Sequence, residues 1–499
     1  MEDYRQIIIV VSVFIYMLFC VASGIWAMKR TKSSSDFFIA GRGLGPGIVA
    51  LAIFSSTLSG FGFVGGPGLV YSAGVSSFWM VVTTSIAYAT GFFLVAKRIR
   101  MIAELRNAIS LPDVVAARYN SEAVRFLIAI TIVLGVMGYL ATQILAMALI
   151  TQSILSGISM FADIGLVACV VLSSAVLIFY SVTGGIIASV YTDVVQGIIM
   201  MVAGVLILIT AVSVFDGGLQ QASQIILADD PEAMMPFGTK GIVVCLGWFF
   251  VFGLGLAGQP HLITKMMMNK KISDNRIILP VSVLGYVLAA LLWISIGVVI
   301  RALVIDGQLA PLTTVDQAAP VFLSMFTDPL LAGVVFAALF AAIMSTSDSF
   351  LNIGTAAIIH DIPKSIKGKG VQNELFWARV VTIGLALFAA GFALFSYYVS
   401  DTLVALLGAF GWATFAASIF PVVAIGLNWK GATAEGAIVA IIVSLLINFC
   451  GQLFPVPLPY GIDWAVIAFI SSILLFISVS LMTSARSALA PDIDRLMDI

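Results

Sequence analysis

The segment AAIMSTSDSF, residues 341–350, sets a run of oxygen-bearing side chains in an otherwise apolar stretch. On a helix, Ser345 and Ser349 stand four residues apart and share a face, with Thr346 and Asp348 flanking it. Hydroxyls and a carboxylate in one stripe suit a hard cation such as sodium, which takes oxygen ligands. Asp193 is the other carboxylate deep in an apolar stretch. An aspartate at the centre of a membrane helix costs ~2.5–3.5 kcal/mol on insertion scales, so it needs a compensating partner. Two plainer readings stand beside this one: serine and threonine can bond back to their own helix, and Asp193 can sit near the membrane interface.

The elements that must position these groups follow from composition. Apolar residues make up 61% of the 499, and charged residues 10%. A soluble chain carries about 25% charged residues, and a fold this large needs them to cover its surface. A lipid bilayer removes that need. The net charge of −1 gives no footing for a nucleic acid. Cys20, Cys169, Cys245 and Cys450 lie in apolar stretches with no CxxC pattern, and two histidines, His261 and His360, are too few for a histidine-based metal site. The apolar run from 6 to 28 is too long for a signal-peptide core, so it is expected to be a spanning helix.

A spanning helix needs about 20 apolar residues. Windows of that size give thirteen expected spans: 6–28, 46–71, 76–97, 124–156, 162–183, 188–213, 241–265, 277–301, 328–360, 376–397, 401–426, 431–452 and 463–484. Taking the loops alternately from an external N-terminus places all but Arg5, Lys240 and Arg301 of the 24 lysines and arginines inside, Lys265 and Arg486 among them. Cytoplasmic loops hold this excess, so the C-terminus is expected in the cytoplasm. Asp193 and Asp348 both fall in the cytoplasmic halves of their spans.

Two spans carry interruptions. GFGFVGGPG at 60–68 packs five glycines and a proline into nine residues, and GLGLAGQPH stands at 253–261. Each of these spans also holds a Gly-Ile-Val near its start, at 47–49 and 241–243. Small residues alone can serve close helix packing. A matched pair of interrupted segments points instead to broken helices around a transport site. The pair lies five spans apart, which reverses its orientation. Residues 46–213 and 241–426 are then two inverted repeats, with 6–28 before them and two further helices, 431–484, after.

Six stretches carry a resemblance to the sodium:solute symporter family, nearest its sodium/proline-type branch. They are FFIAGRGLGP (37–46), SGFGFVGGPGLVYSAG (59–74), LPDVVAARY (111–119), TGGIIASVYTDVVQG (183–197), GQPHLITKMM (258–267) and AAIMSTSDS (341–349). The resemblance implies an all-α polytopic fold with a five-plus-five inverted-repeat, LeuT-like core working by alternating access. It implies one sodium held by the backbone oxygens of Ser55, Leu58 and Ala342 and the hydroxyls of Ser345 and Thr346. A second sodium position, where present, would use Asp193, Ser345, Asp348 and Ser349. The solute would sit among Thr57, Ser59, Tyr139, Thr142, Gln143, Phe252 and Leu256. Proline carriers of the family have an acid where Thr57 stands and an aromatic residue where Leu256 stands. A related amino acid or small carboxylate therefore stands beside proline as the expected solute.

The expected protein is a multi-pass symporter of the cell membrane, with sodium, a small solute and the bilayer as partners and no oligomer required. Sodium should bind first and pin the second span against the ninth, preparing the solute pocket; coupling is then reciprocal. A proton-coupled carrier using Asp193 or Asp348, and a transporter-like sensor with a separate output partner, are the competing readings. No HExxH, GxSxG or GxxxxGK[ST] motif is present, so an enzyme is not expected.

Overall fold

The computed structural model describes residues 2–399, 401–454, 456–484 and 489–498. Arg486, expected on the cytoplasmic side, lies outside the described residues. Among the described residues every regular element is a helix, and the one strand-like contact is an isolated bridge between Leu44 and Asn269. In chain order the principal helices are α1 (Glu2–Met28), α2 (Pro46–Thr57), α3 (Gly66–Ala73), α4 (Phe78–Gly91), α5 (Lys97–Leu105), α6 (Leu111–Tyr119), α7 (Glu122–Leu155) and α8 (Leu166–Val212). They continue with α9 (Gly241–Trp248), α10 (Pro260–Met266), α11 (Asn275–Ile305), α12 (Pro329–Ala356), α13 (Glu374–Val399), α14 (Asp401–Phe420), α15 (Ala434–Leu453) and α16 (Trp464–Met482).

Ten stretches of helix among the described residues are long and apolar enough to cross a membrane, against thirteen expected spans. The difference has three local origins. The expected span 46–71 is split, leaving α2 too short by itself. Of the expected span 401–426, the side chains are described continuously only from Phe410, which leaves the stretch Phe410–Ile425. The expected spans 162–183 and 188–213 run together in the 47 residues of α8. A helix of that length extends ~70 Å, more than twice the ~30 Å hydrocarbon core. It turns at Gly185, whose φ of 52° and ψ of −144° are not helical. A side chain there would place Cβ 2.6 Å from the Phe37 ring, so only glycine fits.

α12 is the central rod. Asp328 caps it by accepting from the backbone N–H groups of Leu330 and Leu331, and Pro329 supplies the preset φ of a first turn. From Val335 to Ala356 every residue is buried. It packs on α8, α1, α7, α13 and α2. This all-round burial is what lets an oxygen stripe survive within it, since no member faces lipid.

On the expected cytoplasmic side, Asp113 of α6 receives His360 Nε2 at 2.9 Å, Lys364 Nζ at 2.8 Å and Arg125 Nη1. Burial pushes the Asp113 carboxyl up, but the hydrogen bonds and charges of His360 and Lys364 outweigh it and hold it well below the usual carboxylate range. His360 Nδ1 also lies 2.6 Å from Glu374 Oε1, and Ser110 donates to Asp361 at 2.6 Å. The cluster ties α6 to the ends of the helices that carry the oxygen stripe. Asp113, His360 and Asp361 lie close enough to share a metal ion, yet Asp113 is already neutralised by three cationic partners.

Candidate functional site

α2 stops at Thr57 because Leu58 is extended (φ −86°, ψ 105°), so the break falls just before the glycine-rich segment, which is itself helical. The chain resumes as a π-turn over Phe61–Gly65 and then α3. Gly60 is required at the break. A Cβ there would lie 2.8 Å from Ile343 of α12 and 3.2 Å from the Gln143 side chain. Its freed N–H donates to Gln143 Oε1 at 3.0 Å. The second interruption follows the same logic. α9 passes through a π-turn over Phe249–Gly253 and a 3-10 turn over Leu254–Gly258, and Gln259 is extended before Pro260 opens α10.

The first break leaves backbone carbonyls without helical partners, and α12 meets them. Ser345 Oγ lies 2.9 Å from Ser55 O and 3.1 Å from Ala342 O. Thr346 Oγ1 lies 3.3 Å from Ser56 O, 3.5 Å from Leu58 O and 3.2 Å from Ala342 O. The five groups expected to hold the first sodium are therefore gathered at one point, and all five residues are buried. The back-bonding reading is also visible, because both hydroxyls reach Ala342 O of their own helix. What self-bonding does not explain is their shared approach to a carbonyl group from the broken α2.

The two buried carboxylates meet different partners. Asp348 is held by hydroxyls: Tyr180 donates to Oδ2 at 2.7 Å, and Ser189 and Ser349 donate to Oδ1 at 2.9 Å and 3.2 Å. Asp193 Oδ2 receives Lys265 Nζ at 2.6 Å, with the two side chains 0% and 1% exposed. Lys265 was expected in a cytoplasmic loop with other basic residues. It lies instead in α10, sealed from solvent, and also donates to Ala52 O at 3.2 Å and to Ser56 Oγ. The Ser55 hydroxyl also faces the Asp193 carboxylate. Ser56 joins the parts, since its hydroxyl lies 3.0 Å from Ser345 O and 3.3 Å from Ser349 Oγ. The four residues expected for a second sodium are thus linked through Ser56 and Lys265, with an ammonium already on Asp193.

The expected solute wall divides into groups. Tyr139 donates to Ser59 Oγ at 2.8 Å, next to the Gly60–Gln143 contact. Thr57 and Thr142 turn their hydroxyls back to Ile53 O and Gly138 O, at 2.8 Å and 3.3 Å. Phe252 lies against Trp412 at 5.7 Å between ring centroids. Leu256 is fully buried, with a methyl 3.5 Å from where a Gly91 Cβ would stand.

Sequence reasoning missed Lys265, Ser56, Tyr180, Ser189 and Trp412 here. Only Lys265 left a signal, because Met266–Met268 continue the apolar run beyond it. His261 lies 4.5 Å from the Phe350 ring, which in turn lies 4.8 Å from Tyr139.

The profile of the sodium:solute symporter family matches residues 37–444. The osmoregulated proline transporter OpuE of Bacillus subtilis is 29% identical over 447 residues, 87% of each chain. The sodium/proline symporter of Staphylococcus aureus (strain JH9) is 28% identical over 519 residues, 98% of this chain and 96% of its own. Among solved structures, a Na+-coupled sialic acid symporter superposes with a TM-score of 0.81 at 20% identity, over 95% of this chain and 97% of its own. The nucleobase-cation-symport transporter MHP1 gives a TM-score of 0.54 at 15% identity, over 93% and 98%. Broken helices facing an oxygen stripe, the LeuT-like fold of these neighbours and a family profile spanning most of the sequence lead to one conclusion: this chain belongs to the sodium:solute symporter family, whose members couple sodium to the movement of small solutes across the membrane.

Proposed function

We propose that this symporter carries an amino acid such as proline, or a related small carboxylate, with sodium held by Ser55, Leu58, Ala342, Ser345 and Thr346. The meeting of the Ser345 and Thr346 hydroxyls with the Ser55 and Leu58 carbonyls carries the reading. Those oxygens can replace an alkali ion's water shell only while the break in α2 stays pressed on α12. Sodium binding therefore favours the conformation that also shapes the wall beside Ser59, Tyr139 and Gln143. The solute class rests on the proline transporters among the relatives. A carboxylate would be met by backbone N–H groups freed at the breaks, since no arginine is expected at membrane depth.

The chain crosses the membrane thirteen times, with residues 46–213 and 241–426 as inverted repeats, the N-terminus outside and the C-terminus in the cytoplasm. The basic residues support that orientation. Its role is carriage, with no chemistry done on the solute. One sodium moving down a tenfold gradient and 100 mV supplies about 1.4 plus about 2.3 kcal/mol, enough for several-hundred-fold accumulation of a neutral solute. The test is uptake into proteoliposomes under an imposed sodium gradient, screening amino acids and short carboxylates. Sodium-dependent uptake of proline or a close relative is expected; uptake that follows a pH gradient and ignores sodium would sink the reading.

A further inference from the structure

We infer that Lys265 is a resident cation occupying the place a second sodium would take, so that this carrier binds one sodium per cycle. The inference rests on the sodium reading above and deepens it. Its ground is a contact in the middle of the fold. The ammonium of Lys265 lies 2.6 Å from Asp193 Oδ2, and the remaining Nζ donors go to Ala52 O and the Ser56 hydroxyl, so all three donors are used. Neither residue reaches solvent. A lysine so held cannot swing away in exchange for an ion without leaving its own charge buried and unpaired, which is strongly unfavourable.

Charge balance points the same way. The cluster formed by α2, α8, α10 and α12 holds two carboxylates, Asp193 and Asp348, and one ammonium. Asp348 is met by the Tyr180, Ser189 and Ser349 hydroxyls, which bring no charge. With both carboxylates ionised, the fixed side chains leave one negative charge uncompensated in a dry interior. A single sodium among Ser55, Leu58, Ala342, Ser345 and Thr346 neutralises it, and Ser56 and Ser349 link that position to both acids. A second sodium would overshoot to a net positive charge.

Equilibrium binding of radioactive sodium alone to the purified protein decides the matter without knowledge of the solute. The wild-type chain should bind one sodium per molecule. Lys265→Gln, which frees Asp193, should bind two, or bind one with sodium affinity changed at least tenfold. Should that variant fail to fold, Asp193→Asn combined with Lys265→Gln removes both charges together and should keep one sodium with affinity within a few-fold of wild type. Two sodium ions on the wild type would overturn the inference and leave the symport reading standing. So would a folded Lys265→Gln variant that binds one sodium with unchanged affinity. A wild-type chain with no saturable sodium binding would sink the sodium reading itself.

Discussion

The Lys265 ammonium and the Asp193 carboxylate form an ion pair at 2.6 Å with both side chains sealed inside the protein. Such a pair is hazardous to break, because removing one partner leaves the other charged, buried and alone. Asp193→Asn should therefore destabilise the protein by about 3–5 kcal/mol. Asp193→Asn with Lys265→Met should recover most of that loss. Thermal unfolding of the two single variants and the double variant in detergent closes the cycle; a double variant no more stable than the worse single would contradict the pairing.

Ser345 and Thr346 are expected to act on the ion. Thr346→Ala removes a hydroxyl from the carbonyl cluster at the break, and a hydrogen bond to a charged group is worth about 1.5–3 kcal/mol. The sodium concentration for half-maximal uptake should rise by about tenfold or more. Expression and folding should hold, since the variant leaves no buried donor without an acceptor. Unchanged sodium dependence in both Thr346→Ala and Ser345→Ala would move the ion elsewhere.

Tyr139 is expected to act on the solute. Its hydroxyl positions Ser59 at 2.8 Å beside the first break. Tyr139→Phe keeps the ring against Phe350 and loses only that contact. The half-saturating solute concentration should rise by a few-fold, on the order of 1 kcal/mol, while half-saturating sodium moves less. A shift confined to sodium would remove Tyr139 from the solute wall.

Gly60 tests the break itself. A methyl there would press on Ile343 at 2.8 Å and on Gln143 at 3.2 Å, so Gly60→Ala must push α2 from α12. Sodium affinity and transport should fall together, by about tenfold if the misplaced carbonyls lose one good contact. Gly43→Ala, where an added methyl meets nothing within 4 Å, should be silent. Equal behaviour of the two variants would mean the break is not part of the ion site.

Asp113 gives the protein a pH signature. Its folded carboxyl titrates below the ordinary carboxylate value, so its contribution is fully present above about pH 4 and is lost as pH falls below that. The unfolding temperature of the wild type should drop progressively as the pH falls below about 4. In Asp113→Asn that drop should be smaller, from a lower starting stability at neutral pH. Parallel curves for the two proteins would show that His360 and Lys364 do not hold Asp113 in its charged form.

The sequence by itself determined the class of protein and the neighbourhood of its interruptions, because both are local. Low charge and apolar runs decide for lipid whatever the fold, and clustered glycines weaken a helix, although the first break falls at Leu58 and Gly66-Pro67 lies inside the helix that resumes after it. The stripe at Ser345, Thr346, Asp348 and Ser349 was legible for the same reason: helical spacing fixes a face before anything packs on it. The tertiary structure decided which charges meet. Lys265 read as a loop cation because it ends an apolar window, and only folding across 72 residues of chain brings it to Asp193. Tyr180 and Ser189 reach Asp348 across more than 150 residues of separation, and such long-range pairings leave no periodic trace. The turn at Gly185 was equally hidden, since its need for glycine comes from Phe37, a residue far away in sequence that packs where a side chain would stand.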